Sequence, residues 1–232
     1  MAKGPLVDYE AARRNALYAA AWMFLKFGYT DTSLRGVAKE AGISLSALLR
    51  TFGSKEGLLC ALVDYVLDGQ FTAAMELVSG VTDDPVLYYA AETTLQLYMA
   101  ESDESIRDLY GAVYSLPESS ELVRRSVTEK MLGRVFRAYL PEASPADFYQ
   151  LEIASGSIIR GYMTVPCSAD FPVEQKVRRF LECSLRVYRV PEEKIAEAVS
   201  FVERFDYPVI ARQTVEAMFA RLAGGLKTNN GL

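Results

Sequence analysis

The sequence predicts an all-α protein, with a small N-terminal three-helix unit followed by a larger helical body. Two observations carry this. Apolar side chains recur at helical spacing through nearly all of the 232 residues, and Ser, Pro and Gly stand where helices would start and stop. No run alternates apolar and polar residues between hairpin turns, as a half-buried strand would. Half the residues are hydrophobic and 24% are charged, the balance of a globular chain long enough for a small domain packed on a larger one.

The elements follow in order. Leu17, Ala20, Ala21, Phe24 and Phe27 share one helix face, and Gly28 is its stop. Ser33 is placed to cap Leu34–Ala41, which Gly42 ends. Ser44 then caps Leu45–Thr51, and Ser54 caps a long helix reaching Val78. Further helical periods run over Pro85–Ala100, Glu104–Leu116, Ser119–Leu140, Pro145–Val165, Val173–Tyr188, Pro191–Phe205 and Pro208–Ala223. Prolines between them fall near helix starts and just past helix ends. Residues 225–232 read as a disordered tail.

Composition narrows the chemistry. The chain has no histidine, so it lacks the commonest metal ligand and the commonest general base. Cys167 has no base to activate it, and no G-x-S-x-G, P-loop or paired-carboxylate arrangement is present. Glu192 and Glu193 read as an acidic first helical turn. The expectation is therefore no enzyme, no metal and no cofactor. Cys60, Cys167 and Cys183 are odd in number and far apart, as in free thiols of an intracellular protein, most simply small core residues. No signal peptide is recognisable, and the apolar stretch Ala16–Phe27 is too short to span a bilayer, so a cytoplasmic protein without membrane contact is expected.

The net charge of −5 is unevenly shared. Residues 1–60 hold eight Lys and Arg against five Asp and Glu, a net +3, which leaves −8 for the rest. A small head can meet phosphate locally while the distant acidic body is partly screened. Within that head, Ala38-x3-Gly42-Ile43-x4-Leu48 is the spacing of a helix-turn-helix. Gly42 supplies the positive φ of the tight turn, Ala38 permits close helix crossing, and Val37, Ile43, Leu48 and Phe52 fill the space beneath. An arbitrary helical hairpin would share some of this pattern.

The longer stretch narrows it. Phe27-Gly28-Tyr29-Thr30, Thr32-Ser33-Leu34, Val37-Ala38, Ala41-Gly42-Ile43-Ser44, Leu48, Phe52 and Ser54-Lys55-Glu56-x-Leu58 resemble the head of the tetracycline-repressor (TetR) family, over about the first quarter of the chain. The resemblance implies a helix-turn-helix DNA-binding domain at 1–55 and a helical ligand-binding and dimerisation domain at 56–224. It implies a regulator, usually a repressor, acting as a homodimer on a double-stranded operator and released by a small molecule. Leu45, Ser46, Leu49, Arg50 and Thr51 then lie on or beside the recognition face. Arg50 is the candidate for guanine, or else a phosphate contact. Ser33, Arg35 and Lys55 are candidate phosphate contacts, or else caps and exposed charges.

Three positions depart from the family pattern. Leu49 stands where a phosphate-binding tyrosine is usual, Leu45 where a polar residue is frequent, and Gly57 where glutamate is usual, loosening the first turn of its helix. A helical protein-interaction module that keeps the helix-turn-helix only as structure is therefore the alternative. In the body, Tyr98, Tyr110, Tyr114, Phe136 and Tyr162 are candidate walls for an apolar or aromatic ligand, against a plain core role. Small residues from Ala154 to Gly161 make the 145–165 helix the first candidate for the dimer seam, with 173–188 second.

Overall fold

The computed structural model describes residues 9–224, so the expected tail lies outside the described residues. Twelve α-helices fill them, with no named strand and only one isolated bridge, Ser168 to Phe171. The head is α1 (Tyr9–Asp31), α2 (Leu34–Glu40) and α3 (Leu45–Phe52). The first helix breaks at Gly28, with φ 79° and ψ 158°. The Thr32 hydroxyl fastens that break, donating to the Gly28 carbonyl at 2.8 Å with the Met23 carbonyl 3.1 Å away. Ser33 and Ser44 cap α2 and α3 as expected, accepting from Gly36 and Ala47 at 3.1 Å each. Gly42 has φ 67°, and Val37, Ala38 and Leu48 are buried. The expected helix-turn-helix is present.

The body begins with α4 (Lys55–Val78), capped by Ser54. By length and mean hydropathy α4 would suit a membrane. Here its apolar face, including Leu58, Leu59, Leu62 and Leu67, packs inside the protein, and Asp64 and Asp68 stay exposed. The centre of the body is α5 (Pro85–Ser102), with fourteen of its eighteen residues buried. A helix apolar nearly all round must be enclosed by others. Around it stand α4, α6 (Glu104–Val113), α9 (Pro145–Thr164), α10 (Val173–Val187), α11 (Glu192–Val202) and α12 (Tyr207–Gly224).

The expected helix over Ser119–Leu140 starts earlier and is interrupted. It runs as α7 (Pro117–Val127), one π-helical stretch at Thr128–Leu132, and α8 (Gly133–Phe136). Pro117 opens it rather than preceding it, because a first-turn proline gives up no hydrogen bond. Pro191, by contrast, stands just before α11, at its N-cap position. The cysteines are unpaired, but Cys183 is exposed and the other two only half-buried, so none is a full core residue. Cys60 is pushed up to about 11 by burial, and an inert thiol follows.

Candidate DNA-reading face and body cavity

On the head, α3 presents its outer side to solvent. Leu48 points inward and is fully buried, which fixes the helix rotation and turns Ser46, Leu49 and Arg50 outward. Leu49 is 40% exposed. Arg50 is exposed and forms no ion pair among the described residues, and the same holds for Arg35 on α2. Two expected members sit differently. Leu45 packs half-buried against the core. The Thr51 hydroxyl donates at 3.0 Å to the Ala47 carbonyl of its own helix.

Lys55 also has an internal task. Its ammonium donates at 3.0 Å to the Thr30 carbonyl and lies 4.4 Å from the centre of the Tyr29 ring. It thereby ties the start of α4 to the end of α1, and burial lowers its pKa. Gly57 has a second role besides the local one expected of it. A Cβ at this position would stand 2.0 Å from the Phe52 carbonyl oxygen, so the start of α4 passes the end of α3 too closely for any side chain. That close approach is tertiary, and no helix propensity reports it.

The body holds a cavity of about 100 Å³ between α1, α4, α5, α6, α7 and α12. Leu62, Val63, Val66, Leu109, Val113 and Phe219 are among its apolar walls, with no charged side chain anywhere in the lining. Its polar groups are Gln70, Gln96, Tyr65, Tyr110 and Tyr114. Gln70 is fully buried, and its Nε2 pairs with the Tyr110 hydroxyl and approaches Met99 Sδ at 3.7 Å. The Tyr114 hydroxyl donates to Gln96 Oε1 at 3.2 Å, and Gln96 Nε2 donates to Glu92 at 2.6 Å. Burial raises both tyrosines' pKa values, so they stay neutral donors.

Of the five expected wall residues, the structure brings only Tyr110 and Tyr114 to this cavity. Tyr98 stacks on Tyr207 at 5.2 Å beside a separate groove. Phe136 is fully buried and lies flat on Tyr188, ring centres 3.9 Å apart. Tyr162 meets Phe171 and Phe180 on the α9 side. These three lie away from this cavity, and residue type alone does not separate them from its walls. Gln70 and Gln96 were missed. A polar residue on the inner face of an otherwise apolar helix was the available signal.

Cavity and head are mechanically close. The Glu56 carboxylate, in the first turn of α4, accepts the backbone N–H groups of Glu118 at 2.7 Å and Ser119 at 3.3 Å. These open α7, whose own Leu116 provides no side-chain cap. Only Ser115 and Leu116 separate Tyr114 from Pro117, where α7 begins.

Comparison with known proteins agrees with this architecture. The family model for bacterial regulatory proteins of the tetR family matches residues 16–62, which span the helix-turn-helix and the start of α4. The uncharacterized HTH-type transcriptional regulator YuxN of Bacillus subtilis (strain 168) is 24% identical over 219 residues, covering 88% of this chain and 68% of its own. Two solved structures share the fold. RolR in complex with its ligand resorcinol superposes with a TM-score of 0.61 at 15% identity, covering 85% of this chain and 95% of that one. SmeT, the repressor of the Stenotrophomonas maltophilia multidrug efflux pump SmeDEF, gives 0.53 at 20%, covering 75% and 88%. The chain thus carries, over residues 16–62, a head that matches the model of the tetR family of bacterial regulatory proteins, on an all-helical body whose fold it shares with these structures.

Proposed function

We propose that this cytoplasmic protein is a homodimeric repressor that reads operator DNA with α3 and lets go when a small apolar or aromatic molecule occupies the body cavity. One observation carries the reading: α4 belongs to both sites. Its first turn closes the head through Lys55, and its middle, from Leu59 to Gln70, walls the cavity. A ligand that favours one position of α4 necessarily biases the spacing of two heads, which is the differential contact that coupling requires. The resorcinol bound by RolR and the repressor role of SmeT support the same reading by analogy.

The pairing rests on α9. Phe148, Glu152, Ser155, Ile159 and Met163 face inward, while Ile153 is 50% exposed and Ala154, Ser157 and Gly161 lie outward. A Cβ at Gly161 would meet nothing within 4 Å inside the protomer. A mid-helix glycine costs roughly 1 kcal/mol against alanine, and nothing in its own chain requires it. Close approach of a second copy would give it a reason.

The test is a mobility shift on DNA flanking the protein's own gene, at several salt concentrations. A specific band whose affinity falls steeply with salt is expected. Arg50→Ala should cost about 1–3 kcal/mol and relax base preference if Arg50 reads a base edge, whereas uniform weakening would make it a phosphate contact. Absence of any specific band would favour an interaction module, for which the exposed Leu49 is the available surface.

A further inference from the structure

We propose that the body cavity is built for an uncharged single-ring compound carrying one hydroxyl, and that the side-chain amide of Gln70 receives this hydroxyl. The proposal rests on the sensing reading above and specifies the ligand class. Three features of the wall lead to it.

The first is charge. No Asp, Glu, Lys or Arg lines the cavity, and Glu92 lies behind Gln96, which already occupies it with a hydrogen bond. An ionised ligand would leave water without a counter-charge, a cost that apolar contact does not offset. The second is size. A volume of about 100 Å³ is of the order that admits one six-membered ring.

The third is Gln70. It is 0% exposed, its amide nitrogen pairs with Tyr110, and its Oε1 has no hydrogen-bond partner among the described residues. Turning the amide over does not cure this, because it exchanges a carbonyl without a partner for an NH2 group that lacks one. A hydroxyl both donates and accepts, so it satisfies either setting. The other polar corner needs nothing. There the Tyr114 hydroxyl, Gln96 Oε1 and Gln96 Nε2 each have a partner, in a relay that ends on Glu92. One polar corner is therefore complete and one is not, and a single hydroxyl on an otherwise apolar ring matches that asymmetry.

Phenol and toluene form an isosteric pair that isolates the hydroxyl, with benzoate and benzyltrimethylammonium as charged counterparts. Binding of all four to the full-length protein is measured by calorimetry at pH 7. Phenol should bind at least about tenfold more tightly than toluene, the factor that a buried unpaired polar group corresponds to. Both ions should be weaker than phenol. Gln70→Met keeps the volume and removes the amide, and it should abolish the phenol preference while toluene still binds. Equal binding of phenol and toluene to the wild-type protein overturns the hydroxyl assignment and needs no variant. Tighter binding of either ion overturns the neutral class, and an undiminished phenol preference in Gln70→Met overturns the role of Gln70. If none of the four binds, this inference falls. The sensing reading falls only if larger apolar compounds also leave both thermal stability and DNA release unchanged.

Discussion

Glu92 and Glu152 are buried carboxyl groups without an ion-pair partner among the described residues. Burial raises Glu92 to about 7, against the lowering effect of its bond from Gln96. Burial likewise raises Glu152 to about 8, with Tyr188 donating to it at 2.9 Å and Glu92 adding repulsion. In the unfolded chain both titrate near the ordinary 4.5. The folded state therefore binds more protons above that pH, and stability must fall as pH rises from about 4.5 through 7 and 8. For Glu92 alone the swing is about 3 kcal/mol. Glu92→Gln retains the shape and an acceptor for Gln96, so it should flatten part of this slope and be the more stable protein at pH 8. Urea denaturation of both proteins between pH 5 and 8.5 checks it, and parallel curves would refute it. The sequence shows Glu92 within an apolar period, but not whether a cation stands opposite. That depends on neighbours brought in from other helices.

Among the elements, α7 depends on a residue from another helix. With no side-chain cap at Leu116, its first amides are satisfied by Glu56, 62 and 63 residues away in the chain. A carboxylate there meets both unpaired N–H groups and the positive end of the helix. Glu56→Ala should lower stability by about 1 kcal/mol, the usual worth of a cap. It should also speed hydrogen exchange at the Glu118 and Ser119 amides, while the α3 amides keep their protection. Unchanged exchange at residues 118 and 119 would mean that water serves them equally well. Glu56 was legible only as part of the family's head motif. Its partner was not, since nothing near residue 56 marks an amide of residue 118. The helix boundaries at Ser33, Ser44 and Ser54 were legible because caps act over three or four residues. The π-helical stretch at 128–132 was not, because no proline or glycine within it marks it.

For the whole molecule, the expected state is a dimer paired through the outer face of α9. Sedimentation analysis should give twice the 25.7 kDa chain mass. Ile153→Glu, which places a charge at a residue already 50% exposed in the single chain, should shift the protein to monomer without lowering monomer stability by more than about 0.5 kcal/mol. It should weaken operator binding as well, since two heads no longer act together. A variant that stayed dimeric would move the seam, with α10 next in order.

By itself the sequence determined the all-helical class, the helix-turn-helix and the absence of histidine chemistry. Each depends on residues close together in the chain: a 3.6-residue period, a serine cap, a glycine turn. Only the tertiary structure decided which aromatics face the cavity. Tyr110 and Tyr114 line it, whereas Tyr98, Phe136 and Tyr162 pack elsewhere, although all five read alike in one dimension. It also gave Gly57 its reason, Lys55 its internal partners and Gln70 its unpaired oxygen. These are properties of surfaces that meet across helices, where burial and distance are set by the packing of the whole chain rather than by local spacing.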